Sequence, residues 1–158
     1  MKNKKNINIL IIVSLSVLLI MFLFIFKKDK TDNGIVKSGV LNGVSEEDAL
    51  SIKVDPTKIF FEINAEPYFE NGYSEGNLRI ANPPYNAYDL TFTIVLDKTG
   101  EKIFESGTLK PYEYIENARL KKVLESGSYE ATSIIEAYDK ETKKVVNIVE
   151  AKLIITVK

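Results

Sequence analysis

The feature that most constrains this chain is an apolar run from Ile7 to Phe26 that contains no charged residue. One asparagine and two serines are its only polar members. A helix of this length rises about 1.5 Å per residue and is about 30 Å long, which matches the hydrocarbon core of a bilayer. We therefore predict one N-terminal transmembrane helix at residues 7–26, preceded by a short basic cytoplasmic tail at residues 1–6.

The flanks of this run indicate an anchor that is kept rather than cleaved. A secretory signal peptide has a shorter apolar region followed by small residues, whereas here Phe26 leads directly into Lys27 and Lys28. A lipid anchor on cysteine is excluded because the chain has no cysteine. Lysines flank the run on both sides, so the positive-inside bias does not decide the orientation. From the usual layout of signal anchors we expect a single-pass protein of the cell membrane with its N-terminus inside and its C-terminal domain extracytoplasmic.

The remaining sequence divides into a spacer and one domain. Residues 27–56 are polar and rich in turn-forming pairs such as Asn42-Gly43, which predicts a flexible linker. Within it, Ser45 followed by three acidic residues has the composition of a helix N-cap. Residues 57–158 are long enough for a single hydrophobic core.

The domain has the period of two that is typical of half-buried strands. Alternation predicts strands at 59–65, 77–82 and 90–96, and Asp97-Lys98-Thr99-Gly100 has the composition of a hairpin turn before a return strand at 102–105. A last hairpin is predicted from Gly127–Tyr138 and Val145–Val157. Before it, Leu109–Ile115 fits another strand, and residues 118–124 fit a short helix or an irregular crossover equally well. The resulting fold class is all-β: an antiparallel sandwich of six to seven strands.

A short motif gives this sandwich a family resemblance. Leu124-Glu125-Ser126-Gly127-Ser128-Tyr129, before a strand that ends in Ala137-Tyr138-Asp139, resembles the L-x-x-G-x-Y run of fibronectin type III and related Ig-like domains. The resemblance implies an Ig-like sandwich in which Tyr129 forms a structural tyrosine corner, with its hydroxyl bonded to nearby backbone. The layout of basic start, single anchor and Ig-like domain is also similar to that of accessory surface proteins of Gram-positive bacteria.

Composition excludes several classes of chemistry. Because histidine and cysteine are both absent, the chain has no imidazole base, no thiolate nucleophile and neither of the commonest zinc ligands. Residues 56–158 carry 13 basic and 16 acidic side chains, a net charge of −3, which does not suit a nucleic-acid partner. No phosphate loop or dinucleotide fingerprint occurs, and we predict no cofactor.

Oxygen-based chemistry is what remains. The serines beside glycine, Ser106, Ser126 and Ser128, fit turns better than a nucleophile elbow. The acidic series Glu101, Glu105, Glu113 and Glu116 reads as a solvated face. The turn carboxylates Asp97 with Glu101 and Asp139 with Glu141 lack the spacing of a calcium loop, so no metal ligand or catalytic residue is assigned.

Aromatic residues near loops are the candidates for recognition. Tyrosine buries much area at small entropic cost and keeps a polar tip, which makes it a good contact anchor. Two readings stay open: Tyr68, Phe69 and Tyr88 plug the ends of the sandwich, or the aromatic residues form a partner-binding edge. The residues concerned are Tyr68, Phe69, Tyr73, Tyr85 and Tyr88.

Two functions follow from different classes. The first is a non-enzymatic, membrane-anchored Ig-like module that binds a protein partner and serves as an accessory subunit of a cell-surface or membrane assembly. The second is a small extracytoplasmic enzyme or inhibitor that uses serine–lysine or carboxylate chemistry. A cleft with two convergent carboxylates, or a buried lysine beside a serine, would favour the second.

Overall fold

A computed structural model describes residues 34–41 and 45–158. The compact unit to which they belong extends from Asp32 to Lys158. None of the helices among these residues has the length and apolar character needed to cross a bilayer, and the predicted tail at 1–6 and span at 7–26 lie outside them. The described part is mostly β, with eight strands and one short helix: β1 Lys37–Ser38, α1 Glu46–Ser51, β2 Tyr68–Phe69, β3 Ile80–Asn82, β4 Asp89–Leu96, β5 Lys102–Leu109, β6 Glu113–Ile115, β7 Gly127–Tyr138 and β8 Val145–Val157.

The larger of two sheets has five strands in the order β2-β8-β7-β4-β5. Both predicted hairpins, β4–β5 and β7–β8, are confirmed as antiparallel pairs in this sheet. In the turn between β4 and β5, Gly100 adopts a φ of 68°, and its N–H donates to the Leu96 carbonyl at 2.8 Å. The expectation of a wholly antiparallel fold is wrong at one edge, where β2 pairs with β8 in parallel. The chain reaches β2 by crossing from the smaller sheet, and not through a hairpin with β8, so the two strands can run in parallel.

The smaller sheet has three strands in the order β1-β6-β3. The strand predicted at 59–65 is not formed as a continuous ladder beside it, since only Glu62 bridges to Ala81. The segment divides its hydrogen bonds between the two sheets: the N–H of Asn64 donates to the Leu78 carbonyl at 3.0 Å, and the Ala65 carbonyl accepts from Ile154 of β8 at 2.8 Å. Its alternating apolar residues are nevertheless half-buried against the core, namely Ile59, Phe61 and Ile63.

Much of the predicted linker is part of the folded unit. β1, which lies within residues 27–56, pairs with β6, and Lys37 forms a salt bridge to Glu116 with 2.9 Å between Nζ and Oε2. The predicted cap is confirmed, because Ser45 accepts a hydrogen bond from the Asp48 N–H at the start of α1. Ala49 on this helix is buried. Polar composition suggested a spacer, but one strand pair and one buried helical side chain attach the segment to the domain.

One buried cluster joins the inner faces of both sheets. Phe92, Ile94 and Phe104 contribute from the larger sheet, and Ile80 and Ile115 contribute from the smaller one. Each of these side chains has essentially no exposed surface. Of the strand predicted at 109–115, Glu113–Ile115 forms β6, whereas Leu109 ends β5. Residues 118–124, for which a helix and an irregular crossover were both open, are irregular, and the backbone of Ala118 bridges to Gly76. This bridge ties the loop before β7 to the loop after β2.

Candidate interaction surface

The predicted aromatic residues do not form one surface. Tyr68 pairs with Thr156, which lies opposite Ser128 at the start of β7. Tyr88 precedes Asp89, which pairs with the last residue of β7. A strand advances about 3.3 Å per residue, so the two tyrosines lie at opposite ends of β7, roughly 30 Å apart. Tyr68, Phe69 and Tyr73 belong to one end of the domain, and Tyr85 and Tyr88 belong to the other.

Phe69 and Tyr88 are packed into the fold. The Phe69 ring is 1% exposed and lies against Gly76, where no side chain could fit beside it. Tyr88 packs on the core, and its hydroxyl donates to the Pro56 carbonyl at 2.6 Å. These two rings therefore close the ends of the domain, as one of the two readings of the sequence proposed.

Tyr85 lines a small cavity that is partly open to solvent. Its ring meets Phe60 edge-on, with 5.0 Å between centroids. The cavity, about 40 Å³ in volume, is lined by Tyr85, Glu62, and Ala49 and Ile52 from the α1 region. Burial raises the pKa of the Glu62 carboxyl, although the positive charge of Arg79 opposes this shift. Burial also raises the pKa of the Tyr85 hydroxyl, and the nearby Glu62 adds to that effect.

Tyr68 and Tyr73 keep their rings at the surface. Tyr73 is 75% exposed, and Val123, which is 50% exposed, lies beside its loop. The two loops touch closely, because a Cβ on Gly72 would meet the Leu124 carbonyl oxygen and the Val123 side chain. We call Tyr68, Tyr73 and Val123 the tyrosine end.

The loop that presents Tyr73 is held by its own hydrogen bonds. The N–H of Tyr73 donates to the Asn71 side-chain oxygen at 2.9 Å, and the Ser74 N–H donates to the Asn71 carbonyl at 3.2 Å. At the base of the loop, Tyr68 donates its N–H to the Asn77 side chain at 2.7 Å. An exposed ring on a loop fixed in this way loses little freedom on binding.

An open concavity of about 910 Å³ adjoins the tyrosine end. Val123 lines it together with the β4–β5 turn, the loop before β7 and Tyr129. The Tyr129 hydroxyl donates to the Glu125 carbonyl, four residues earlier, at 2.9 Å, while its ring packs on the core. This bond braces the loop that carries Val123 against the start of β7.

Two of the oxygen-bearing residues considered for catalysis, Ser106 and Glu105, are engaged in the fold. Ser106 is buried; its hydroxyl accepts from the Phe92 N–H at 2.9 Å and donates to the Gly107 carbonyl at 2.6 Å. Glu105 forms a salt bridge with Lys121 at 3.0 Å, which lowers the pKa of its carboxyl. Within the described residues no three or more acidic side chains gather as a metal site would require. The contacts of Ser106 and Glu105 thus link neighbouring segments of the larger sheet and the loop before β7.

One surface was not predicted from the sequence. Three aliphatic side chains of β8, Val145, Val146 and Ile148, are each about half exposed. The alternating pattern predicted β8 as a strand paired with β7, but it gave no information on which segment would pair with the other side of β8. That neighbour is set by the point at which the chain passes from one sheet to the other, near Asn64 and Ala65.

Comparisons with known proteins found no match: no protein-family model, no curated protein and no solved structure is similar to this chain at a significant level.

Proposed function

We propose that this chain is a membrane-tethered Ig-like module whose extracytoplasmic domain binds another protein through the tyrosine end. The observation that carries the proposal is the pair of rings at one end of the domain, Tyr73 three-quarters exposed and Tyr68 partly exposed, beside exposed Val123. Aromatic side chains on pre-ordered loops are typical of protein–protein contact sites, because they bury much area at small entropic cost.

The strand order supports the Ig-like part of the proposal. Ig-like sandwiches place strands A, B, E and D in one sheet and C, F and G in the other. Here segment 59–65, β3 and β6 follow one another in the first sheet, with β1 in the position of strand D. In the second sheet β4, β7 and β8 correspond to C, F and G. The hydrogen bond from Tyr129, at the start of the F-like strand, has the form of a tyrosine corner.

The membrane part of the proposal rests on the apolar run at 7–26. A tether of this kind, with the N-terminus inside, would hold the domain on the outer side of the cell membrane. Such a layout suits an accessory subunit of a surface assembly.

Amine cross-linking in intact cells tests the proposal. Lys98 and Lys122 line the concavity beside the tyrosine end, so a short amine-reactive reagent can reach a bound partner. We expect one defined adduct with the native chain and its loss in the Tyr73→Ser, Val123→Ser double variant. Leu50→Ser is the matched control, because it replaces an exposed aliphatic residue on α1.

The melting temperature is measured for both variants to exclude unfolding. Loss of the adduct in the double variant alone, with its melting temperature unchanged, would support the tyrosine end. An adduct that persists in the double variant, or the absence of any adduct with the native chain, would contradict it.

A further inference from the structure

The outer side of β8 is largely without a neighbouring strand. β8 pairs with β7 along one side from Val145 to Val157. On its other side the N–H groups of Ile154, Thr156 and Lys158 donate to the chain around β2 at 2.8–3.0 Å. Within the part of the chain that the structure describes, no backbone pairs with this side before Ile154. We call residues 145–153 the β8 edge.

Backbone direction decides which groups the β8 edge offers. Successive residues of a strand direct their N–H and C=O groups to opposite sides. The N–H of Ile154 points away from β7. The backbone N–H and C=O groups of Glu150 and Lys152 therefore point away from β7 as well, and they have no hydrogen-bond partner among the described residues. The N–H of Ile148 faces the same way but is already bonded to the Asn147 side chain at 2.8 Å. The main-chain site is therefore centred on Glu150 and Lys152.

The opposite edge of the same sheet, β5, is protected. The N–H of Lys121 donates to the Ile103 carbonyl at 2.7 Å, so the loop before β7 covers that edge. Lysines also screen it through ion pairs with Glu105 and Glu101, and its pairing with β4 is interrupted by register shifts. Covering loops, lysines and bulges are the usual means by which proteins block edge pairing.

The β8 edge lacks such protection over residues 147–153, because its one register shift with β7 lies at the start of the strand, between Val145 and Asn147. Its register with β7 is regular from Asn147 to Val157. Its lysine, Lys152, is turned back over the sheet, where Nζ lies 3.0 Å from Asp97 Oδ2 and 2.7 Å from the Thr132 hydroxyl. Glu150 has no ion-pair partner among the described residues. An open edge with exposed aliphatic side chains and one uncompensated carboxylate remains.

A second copy of the chain fits this edge poorly. Antiparallel self-pairing centred on Glu150 sets two carboxylates directly opposite each other, which is destabilising. Centring on Ala151 opposes Glu150 with Lys152, but the chain around β2, which begins to pair at Ile154, then limits the ladder to residues 149–153 of each strand. Centring on Val149 sets Ile148 against the Glu150 carboxylate. None of these registers matches charge and length together.

We propose that the β8 edge binds an extended segment of another protein by strand addition, with a basic residue opposite Glu150 and aliphatic or β-branched residues on either side. Main-chain hydrogen bonds to Glu150 and Lys152 would supply affinity, and the alternating side chains would supply selectivity. The inference extends the proposed binding role to a second surface, on the flank of the sheet rather than at its end.

Amide hydrogen exchange on the full chain in detergent micelles tests the proposal. The probe is a capped nine-residue peptide that alternates threonine and valine and has lysine at its centre. We expect it to slow exchange at the Glu150 and Lys152 amides at least ten-fold. A peptide with the same side chains but N-methylated at alternate amides cannot form the ladder, and it should give no protection.

Charge reversal identifies the register. With the native chain the lysine-centred peptide should bind about five-fold more tightly than one with glutamate at its centre, as expected for one cross-strand ion pair. Glu150→Lys should invert this preference. Glu141→Lys makes the same charge change in the β7–β8 turn and should leave the preference unchanged.

Four results would overturn the proposal: no protection by the probe, equal protection by the methylated peptide, no inversion in Glu150→Lys, or protection in the free chain that dilution removes. The last would mean that a second copy occupies the edge. Tyr73→Ser should leave peptide binding intact, so failure at the tyrosine end and failure at the β8 edge can be distinguished.

Discussion

At the turn between β4 and β5, the carboxylate of Asp97 joins three strands. It accepts a hydrogen bond from the Thr132 hydroxyl of β7 at 2.5 Å and one from Lys152 of β8 at 3.0 Å. These two bonds hold the pKa of Asp97 below its ordinary value of 3.8, while desolvation opposes the shift. A carboxyl that is more acidic in the folded state stabilises the fold above its unfolded-state pKa, and this stability is lost as pH falls through the folded-state value.

Asp97→Asn should therefore unfold at a lower denaturant concentration than the native chain at neutral pH. The difference should shrink as the pH falls below about 3.8, where the native carboxyl takes up its proton. Denaturant unfolding across pH 2–7 measures this effect. A Thr132→Val background lacks the hydrogen bond from the Thr132 hydroxyl to Asp97. In that background Asp97→Asn should lower the free energy of unfolding by a smaller amount. Unfolding curves that stay equally separated down to pH 2 would contradict the assignment.

Residue-level roles were only partly readable from the sequence. The hydrogen bond of Tyr129 to nearby backbone could be predicted because its motif is local: the residue that accepts the bond, Glu125, lies only four residues earlier in the chain. Phe69 and Tyr73 are four residues apart and chemically alike, yet one is buried and the other is three-quarters exposed. Which ring faces inward depends on Gly76, which contacts Phe69, and on Leu124, which reaches the Tyr73 loop from a distant part of the chain.

At the scale of elements, the loop after β2 depends on one glycine. Gly76 bridges to both Phe69 and Ala118, so it joins β2 to the loop before β7. A Cβ at this position would overlap the Phe69 ring, which is buried and has no room to move. The absence of a side chain is what allows the three segments to meet.

We expect Gly76→Ala to destabilise the domain by about 1–3 kcal/mol, as overpacking of a filled core does. Thermal or denaturant unfolding measures the change. Phe69→Leu provides the matched background, because a smaller side chain frees the space and should remove most of the cost of Gly76→Ala. If the alanine costs the same in both backgrounds, the contact with Phe69 is not the cause.

Elements with strong local signals were predicted well. β7 and β8 have long alternating stretches joined by a turn in which the Asp139 carboxylate accepts the Thr142 N–H at 2.7 Å, so their pairing is encoded locally. Segment 59–65 alternates as clearly but forms no continuous strand. Its hydrogen bonds are divided between the two sheets. The alternation of side chains does not indicate where a segment changes from one sheet to the other.

For the whole molecule, the orientation of the chain across the membrane is the principal prediction. The chain contains no cysteine, so a single introduced cysteine is a unique label site. In intact cells a membrane-impermeant maleimide should label Lys98→Cys, which is exposed in the β4–β5 turn. It should label Lys2→Cys only after the membrane is opened.

The two single-cysteine variants serve as controls for each other, because both carry the same substitution. Labelling of Lys2→Cys but not Lys98→Cys in intact cells would mean the opposite orientation. Labelling of both variants in intact cells would mean that the membrane does not separate the two sites, and the proposed span at 7–26 would then be wrong.

The sequence alone determined the β character of the domain, its two hairpins and the cap at Ser45, because these follow from side-chain alternation and turn chemistry among near neighbours. Tertiary structure alone decided that residues around β1 and α1 belong to the folded unit, that Tyr68 and Tyr88 lie at opposite ends, and that β8 has an open edge. Each of these depends on segments that are distant in the chain. Local preferences do not specify which of several compatible strands becomes a neighbour, since that choice is made by the packing of the whole core.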